Sequence, residues 1–279
     1  MKILAKKSLG QHFLLNPNTL DKILDLAQVT SADQILEIGP GPGALTEKLA
    51  SRAGRVVAVE KDHRFVEALR EKLGDRENFT LIEGDILDLL GRSLEQPQCK
   101  TSPNPLLCKE GALWKVVANL PYNIATEVIF KLIDSRTLFS SLYLMVQEEV
   151  AKRLVAVPGT GEYGVLSILT QLFSKNEIVL KLPPGAFTPP PKVRSAIVAF
   201  HLTPNCRFPI RDFSVFKTVV RAAFQQRRKM VRNSLHSALT EWSPESIDQA
   251  LEKACINPMA RAETLSITNL VDLANELNP

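Results

Sequence analysis

Asn119-Leu120-Pro121-Tyr122 closes an apolar run, Trp114-Lys115-Val116-Val117-Ala118, that reads as a buried strand. An amide, a proline-stiffened carbonyl and an aromatic ring in succession can hold a planar base that carries an exocyclic amine. The Asn119 amide oxygen and the Leu120 carbonyl can each accept a hydrogen bond from such an amine, while Tyr122 stacks on the ring. Taken alone, the tetrapeptide fits an ordinary strand end and turn better. Its weight comes from what lies upstream.

There, Gln34-Ile35-Leu36-Glu37-Ile38 runs into Gly39-Pro40-Gly41-Pro42-Gly43, and a helical pattern follows from Ala44. Glycines at such a turn permit positive φ and let a ligand approach the backbone, with a helix N-terminus behind it. A second apolar strand, Arg55-Val56-Val57-Ala58-Val59, ends in Glu60. That lies about 20 residues past the first glycine, where a dinucleotide fold places the carboxylate that binds ribose hydroxyls. A third, Phe79-Thr80-Leu81-Ile82, ends in Glu83-Gly84-Asp85-Ile86.

Gly39-x-Gly41-x-x-Ala44 fits a nicotinamide fingerprint, and Gly39-x-Gly41-x-Gly43 fits an S-adenosylmethionine loop equally well. Three features tilt the choice toward a methyltransferase. Glu37, just before the loop, is placed to reach the amino group of a methionine moiety. Asp85, with Ile86 beside it, is placed for an adenine amine. Asn119 ends the fourth strand, beside the methyl position. Strand ends of successive βα units meet along one edge of an open parallel sheet, so these residues can line one crevice. A dehydrogenase also wants a proton-relay residue, and none of the four histidines ends a strand.

At this point the chain resembles the ribosomal RNA adenine dimethylases, specifically the small-subunit (KsgA/RsmA) branch. The resemblance runs through Lys7 to Leu14, Glu37 to Gly43, Glu60, Asp85, Asn119 to Tyr122, Met145 to Leu154, Glu162-Tyr163-Gly164, Phe187 to Ser195 and Ala223 to Leu235. It implies that His12 and Leu14 line the cofactor pocket from an N-terminal arm. It also implies that Gly39 contacts the methionine end, Glu60 the ribose, Asp85 the adenine, and Asn119 the edge shared by cofactor and target base. Many relatives have asparagine where this chain has His12. A backbone contact survives that change, whereas a side-chain amide contact does not. Phe187 is expected to cover the second face of a flipped base, its alternative being an ordinary core phenylalanine. The substrate, two adjacent adenosines in a hairpin loop near the 3′ end of 16S rRNA in a pre-ribosomal particle, comes from resemblance alone, and nothing in the residues counts methyl groups. Alternatives are a large-subunit rRNA methylase of the antibiotic-resistance type and a mainly non-catalytic ribosome-assembly or transcription factor.

Composition agrees with an intracellular enzyme. A chain of 279 residues that is 45% hydrophobic supports a large and a small domain and argues against disorder. Its four cysteines lack C-x-x-C spacing, so no metal site and reduced thiols are expected. No apolar run approaches a membrane span, and the basic N-terminus lacks a signal core, which places the chain in the cytoplasm. A monomer is expected.

Charge is uneven. Residues 1–180 hold 21 Lys+Arg against 22 Asp+Glu, and 181–279 hold 13 against 8. Between 192 and 232 there is one acid, Asp212, against ten bases. Lys192, Arg194, Lys217, Arg221, Arg227, Arg228, Lys229 and Arg232 are read from that block as an RNA phosphate footprint. Lys217, Arg221, Arg228 and Arg232 share one side of a single helix, with Phe216, Val220, Phe224, Val231 and Leu235 as its apolar stripe. If two helices meet near Gln225-Gln226, the stripe weakens and the charge remains. Arg227, Arg228 and Arg232 are also placed to pair with the catalytic domain.

These elements must be carried by an α/β fold. We expect a Rossmann-like S-adenosylmethionine-dependent methyltransferase sheet over residues 1–203 and a smaller helical RNA-binding domain over 204–279. The strands of 175–181 and 193–202 form a hairpin-like pair. Arg92 to Pro105, with three prolines, reads as a surface loop.

Overall fold

The computed structural model describes residues 11–95 and 113–278. Apolar runs and amphipathic stretches alternate along the first part of the chain. They give β1 (Phe13–Leu14), α1 (Pro17–Leu26), β2 (Gln34–Ile38), α2 (Ala44–Arg52), β3 (Arg55–Glu60), α3 (His63–Leu73), β4 (Phe79–Glu83) and α4 (Ile86–Glu95). After the undescribed segment come β5 (Trp114–Asn119), α5 (Ala125–Asp134), β6 (Phe139–Gln147), α6 (Glu148–Val155), α7 (Val165–Gln171), β7 (Ser174–Leu182), β8 (Phe187–Thr188) and β9 (Ser195–Leu202). Four helices close the chain: α8 (Phe213–Phe224), α9 (Val231–Ala238), α10 (Pro244–Lys253) and α11 (Ile267–Leu277).

Among the described residues seven strands form one sheet in the order β4-β3-β2-β5-β6-β9-β7. β4, β3, β2, β5 and β6 run parallel, and β9 pairs antiparallel with β6. β2, β3 and β5 are almost wholly buried, as their near-continuous apolar sequences require of strands covered on both faces. β7 and β9 are neighbours, as the hairpin-like reading expected. The chain crosses from β2 to β3 on one side and reaches β5 on the other. That reversal opens a crevice at the C-terminal ends of the strands.

The segment joining β7 to β9 does not simply loop. Phe187 and Thr188 pair antiparallel with Leu14 and Phe13, so β8 ties the N-terminal arm to the sheet unit. At the other end of the arm, Asn16 caps α1 by accepting from the Thr19 N–H at 3.1 Å.

The chain divides into two compact units: Met1–Ala151 with Lys175–Leu202, and Lys152–Ser174 with Thr203–Pro279. Strand–helix alternation running to about Gln171 places 152–174 in the sheet domain on sequence. The structure groups it with the C-terminal helices, where α7 lies against α8. The Tyr163 ring meets Phe224 edge-on at 5.9 Å, and the carbonyls of Phe173 and Leu172 accept from the N–H groups of Thr203 and Arg207. Within this unit Phe216, Val220, Leu235, Leu251 and Leu270 are buried.

Two further expectations change. The basic block is not one helix: α8 stops at Phe224, residues 225–230 form an exposed turn, and α9 restarts at Val231. Arg92 to Glu95 belong to α4, continuing the Ile86, Leu90 apolar spacing, rather than to a loop. The rest of that predicted loop, with Cys99, lies outside the described residues, as do Cys108 and the arm before Gln11. Among the described residues no helix is long and apolar enough to cross a membrane, and no cluster of His, Cys, Asp or Glu has the make-up of a metal site.

Candidate active site

Loops from the ends of β2, β3, β4 and β5 converge on a cavity of about 460 Å³, closed on one side by Gln11, His12 and Phe13 of the arm. Its volume suits a nucleoside-sized ligand. Gly39, Gly41, Glu60, Asp85, Ile86, Asn119, Leu120 and Tyr122 all lie on its wall, as expected for strand-end residues.

The glycine loop takes its shape from this packing. Gly41 sits at φ +54°, and a Cβ there would come within 3.0 Å of Phe13 Cε1. Gly43, at φ +84°, turns the chain into α2. The Gly41 N–H donates to Glu60 Oε2 at 2.9 Å, and the Asp62 N–H donates to Oε1 at 2.8 Å. Glu60 thus braces the loop. Burial pushes its carboxyl up, while these N–H groups and that of Lys61 oppose the shift. Each oxygen keeps a second lone pair for a ligand hydroxyl.

Asp62 extends the brace. The Arg64 guanidinium, at 2.6 Å, holds its carboxyl down at about 2. Asp85 accepts from Leu87 N–H at 2.9 Å and from Lys61 Nζ at 2.7 Å. Partial burial works to raise Asp85, but the Lys61 ammonium and the Leu87 N–H outweigh it and leave the carboxyl below its usual range. An ionised acceptor therefore stands where an adenine amine was expected. Lys61 and Asp62 directly follow Glu60, and sequence reasoning could have found them by extending the strand-end argument.

Glu37 is placed differently. It is buried and does not line the large cavity; it faces a second, small cavity that shares Phe13, Gly39 and Asn119 with the first. Its Oε2 has no hydrogen-bond partner among the described residues. Burial pushes its carboxyl up to about 8, with the Thr46 hydroxyl pulling the other way and Glu60 adding to the rise. A buried carboxyl two residues before Gly39, with one oxygen unpartnered among the described residues, fits the ammonium of a methionine moiety. Together with a glycine cradle that a Cβ would fill and ionised Asp85, it makes the residues present compatible with S-adenosylmethionine.

At the end of β5 the Asn119 Nδ2 donates to the His12 carbonyl at 2.8 Å. That bond fixes the amide so that Oδ1 remains as acceptor. The Leu120 N–H is held by the Met145 carbonyl at 3.2 Å, and the Leu120 carbonyl accepts from none of the described residues. The Tyr122 hydroxyl meets Ser195 Oγ at 2.6 Å, and burial keeps the phenol neutral by raising its pKa. His12 stacks on the Tyr122 ring at 5.5 Å, while its Nδ1 meets the Pro189 carbonyl at 2.8 Å. His12 thus meets Asn119 through its carbonyl and Tyr122 through its ring.

The family model for ribosomal RNA adenine dimethylases matches residues 3–279. The chain belongs to that family. It is 42% identical to the ribosomal RNA small subunit methyltransferase A of Geobacter metallireducens, over 99% of this chain and 96% of that one. It is 40% identical to the protein of the same name from Caldanaerobacter subterraneus, over 98% and 97%. Among solved structures, a dimethyladenosine transferase from Plasmodium falciparum superposes with TM-score 0.75 at 28% identity, covering 94% of this chain and 96% of that one. The 23S rRNA methyltransferase ErmE gives 0.67 at 25%, covering 96% and 100%. The sheet is the Rossmann-like sheet of S-adenosylmethionine-dependent rRNA methyltransferases, and this family member is a methyltransferase.

Not every expected residue of this dimethylase reaches the site. Phe187 is 3% exposed, its backbone paired with Leu14 in β1, and it packs in the core rather than on the cavity wall. It does not cover a base in this arrangement. Leu14 is likewise a core residue; it lines the small cavity and not the large one. Ser195 was missed, since a serine distant in sequence gives no local signal.

The basic residues also separate. Arg227 donates to the carbonyls of Gly161 and Tyr163 and faces Glu263, and Arg232 grips Asp248 at 2.6 and 2.8 Å. Both act inside the helical unit rather than pairing with the sheet unit. Arg194 faces Glu148 at 3.3 Å. Lys192, Lys217, Arg221, Arg228 and Lys229 are exposed and make no ion pair among the described residues.

Proposed function

We propose that this chain dimethylates the exocyclic amines of two adjacent adenosines in a hairpin loop near the 3′ end of small-subunit rRNA, acting as a cytoplasmic monomer on a pre-ribosomal particle. The names of the two small-subunit relatives, at 42% and 40% identity, support the small subunit over the large one. The observation that carries the chemistry is the Asn119 amide, turned by His12 so that Oδ1 and the neighbouring Leu120 carbonyl are both open acceptors.

S-adenosylmethionine, when bound, supplies an electrophilic methyl group on a sulfonium. The residues must make a poor nucleophile attack it, because the adenine amine lone pair is delocalised into the ring. In the first transfer Asn119 Oδ1 and the Leu120 carbonyl accept the two amine hydrogens, and in the second one of them accepts the single hydrogen left on the monomethylated amine; each bond favours a tetrahedral nitrogen with its lone pair free. Such positioning supplies up to about 7–11 kcal/mol for well-oriented reactants. Tyr122, neutral and anchored by Ser195, offers a ring edge and face to the base. No strong base or metal ion is required before attack, because the proton leaves a nitrogen already made cationic. Glu60, Asp85 and Glu37 hold the ribose, adenine and ammonium of the methyl donor, and the exposed cations of the helical unit hold RNA phosphates.

The test uses purified protein, methyl-labelled S-adenosylmethionine and undermethylated small ribosomal subunits. Mass analysis of digested nucleosides should show dimethyladenosine from wild type and little from Asn119→Ala. Label in another nucleoside, or none in wild type, would overturn the reading.

A further inference from the structure

At the Asn119 end of the cavity two rings stack, and each is pinned to the same stretch of chain. The His12 ring lies on Tyr122 with centroids 5.5 Å apart and planes 28° from parallel. His12 Nδ1 is 2.8 Å from the Pro189 carbonyl, and since a carbonyl only accepts, Nδ1 carries the hydrogen. The Tyr122 hydroxyl lies 2.6 Å from Ser195 Oγ. Pro189 directly follows β8 and Ser195 opens β9, so one loop carries both anchors.

The anchors are themselves fixed. β8 pairs with β1 up to Thr188, next to Pro189. Ser195 is fully buried opposite Gln147 in the β6–β9 ladder, and the neighbouring Arg194 carbonyl accepts from the Glu148 N–H at 2.9 Å. Tyr122, by contrast, lies in the turn between β5 and α5. Holding its hydroxyl restrains both side-chain torsions of the ring at once. His12 covers one face of that ring, and no other ring of the described residues stacks on it. The opposite face is left for a base.

The two transfers to one amine make unequal demands on this platform. In each, the amine lone pair forms the N–C bond while the electrons of the donor's S–C bond stay on sulfur, and one N–H proton then passes to water. The first transfer starts with two hydrogens, which Asn119 Oδ1 and the Leu120 carbonyl hold together. The second starts with one, so a single bond holds the amine and the base is free to pivot about it. Stacking on a fixed ring then has to keep the lone pair in line with the methyl group.

We infer that Ser195 is a positioning residue for the second transfer: by anchoring Tyr122 it carries the reaction from monomethyl- to dimethyladenosine. The inference rests on the dimethylase reading of the same site.

Time courses on undermethylated small subunits with saturating S-adenosylmethionine, resolved by mass into monomethyl- and dimethyladenosine, give both rate constants. Ser195→Ala should slow the second transfer about three- to tenfold, the weight of one neutral hydrogen bond, and the first by less than about twofold. Monomethyladenosine should therefore accumulate. Tyr122→Phe and the double variant should match Ser195→Ala, because the two hydroxyls act on each other. S-adenosylmethionine affinity should hold in all three. In the free protein, NMR of labelled tyrosines should show the Tyr122 ring signal, assigned with Tyr122→Phe, moving in Ser195→Ala while those of Tyr143 and Tyr163 stay. Equal slowing of both transfers, a wild-type product ratio, or an unmoved Tyr122 signal overturns the inference. If wild type itself forms no dimethyladenosine, the dimethylase reading fails, an outcome distinct from the variant results.

Discussion

Asn119 Nδ2 donates to the carbonyl of His12 at 2.8 Å, across 107 residues of chain, and this one bond decides which end of the amide faces the cavity. Under the proposed mechanism it makes the arm part of the acceptor geometry through its backbone.

Asn119→Ala should therefore lower turnover by about 10²–10³, the cost of losing a preorganised polar group that acts in the transition state. Cofactor affinity should change far less, because the lost contact strengthens as the amine rehybridises. Single-turnover kinetics beside calorimetry separate the two effects. Near-normal turnover would sink the two-acceptor mechanism.

Glu60 and Asp85 should differ when replaced. Both line the cavity, so Glu60→Ala and Asp85→Ala should each weaken S-adenosylmethionine binding while RNA binding persists. Glu60 also accepts from Gly41 and Asp62, so its loss should destabilise the protein by about 1–3 kcal/mol, the usual result of leaving buried donors unpaired. Asp85, partly exposed beside Lys61, also caps α4 through the Leu87 N–H, so its loss should cost about 0.5–2 kcal/mol, nearer the lower end than Glu60. Unchanged cofactor affinity in both variants would mean that the pocket is misassigned.

Glu37 predicts a pH dependence. Below its ordinary pKa of 4.5 both folded and unfolded chains carry the proton, so no penalty exists. As pH rises the unfolded carboxyl ionises while the folded one stays protonated to about 8, so the group's contribution turns against the fold between those values and is then constant. Glu37→Gln should gain stability relative to wild type across that interval. An ammonium docking at Glu37 should also expel its proton below pH 8, giving binding heats that depend on buffer ionisation. Buffer-independent heats at pH 7 would remove Glu37 from the cofactor site.

The order of strand ends was legible from sequence because apolar runs closing in Gly39, Glu60, Asp85 and Asn119 can stop only at one sheet edge. Contacts over long separations were not. Nothing local pairs the Tyr122 hydroxyl with Ser195, or the His12 carbonyl with Asn119. Phe187 beside prolines reads the same whether it faces a base or the core, and only its pairing with Leu14 decides. Residues 152–174 misled by contiguity. The 225–230 turn holds no glycine or proline, so the helical period seemed to run through it.

The basic residues should sort by partner. Neutralising Lys217, Arg221 and Arg228 should weaken RNA binding and flatten its salt dependence, by up to about 0.9 slope units per lost contact. Melting should hold, since exposed charges contribute about 1 kcal/mol or less. Arg227→Ala and Arg232→Ala should instead lower the melting temperature first, because their guanidinium groups hold Gly161, Tyr163 and Asp248 within the helical unit. An unchanged salt slope in the triple variant would leave the block without a role in RNA recognition.

Mapping dimethyladenosine along the rRNA of a strain lacking this protein tests the central claim most directly. Two adjacent adenosines near the 3′ end of small-subunit rRNA should lose both methyl groups, and wild type but not Asn119→Ala should restore them. Intact marks at that site, or a loss confined to large-subunit rRNA, would contradict the account.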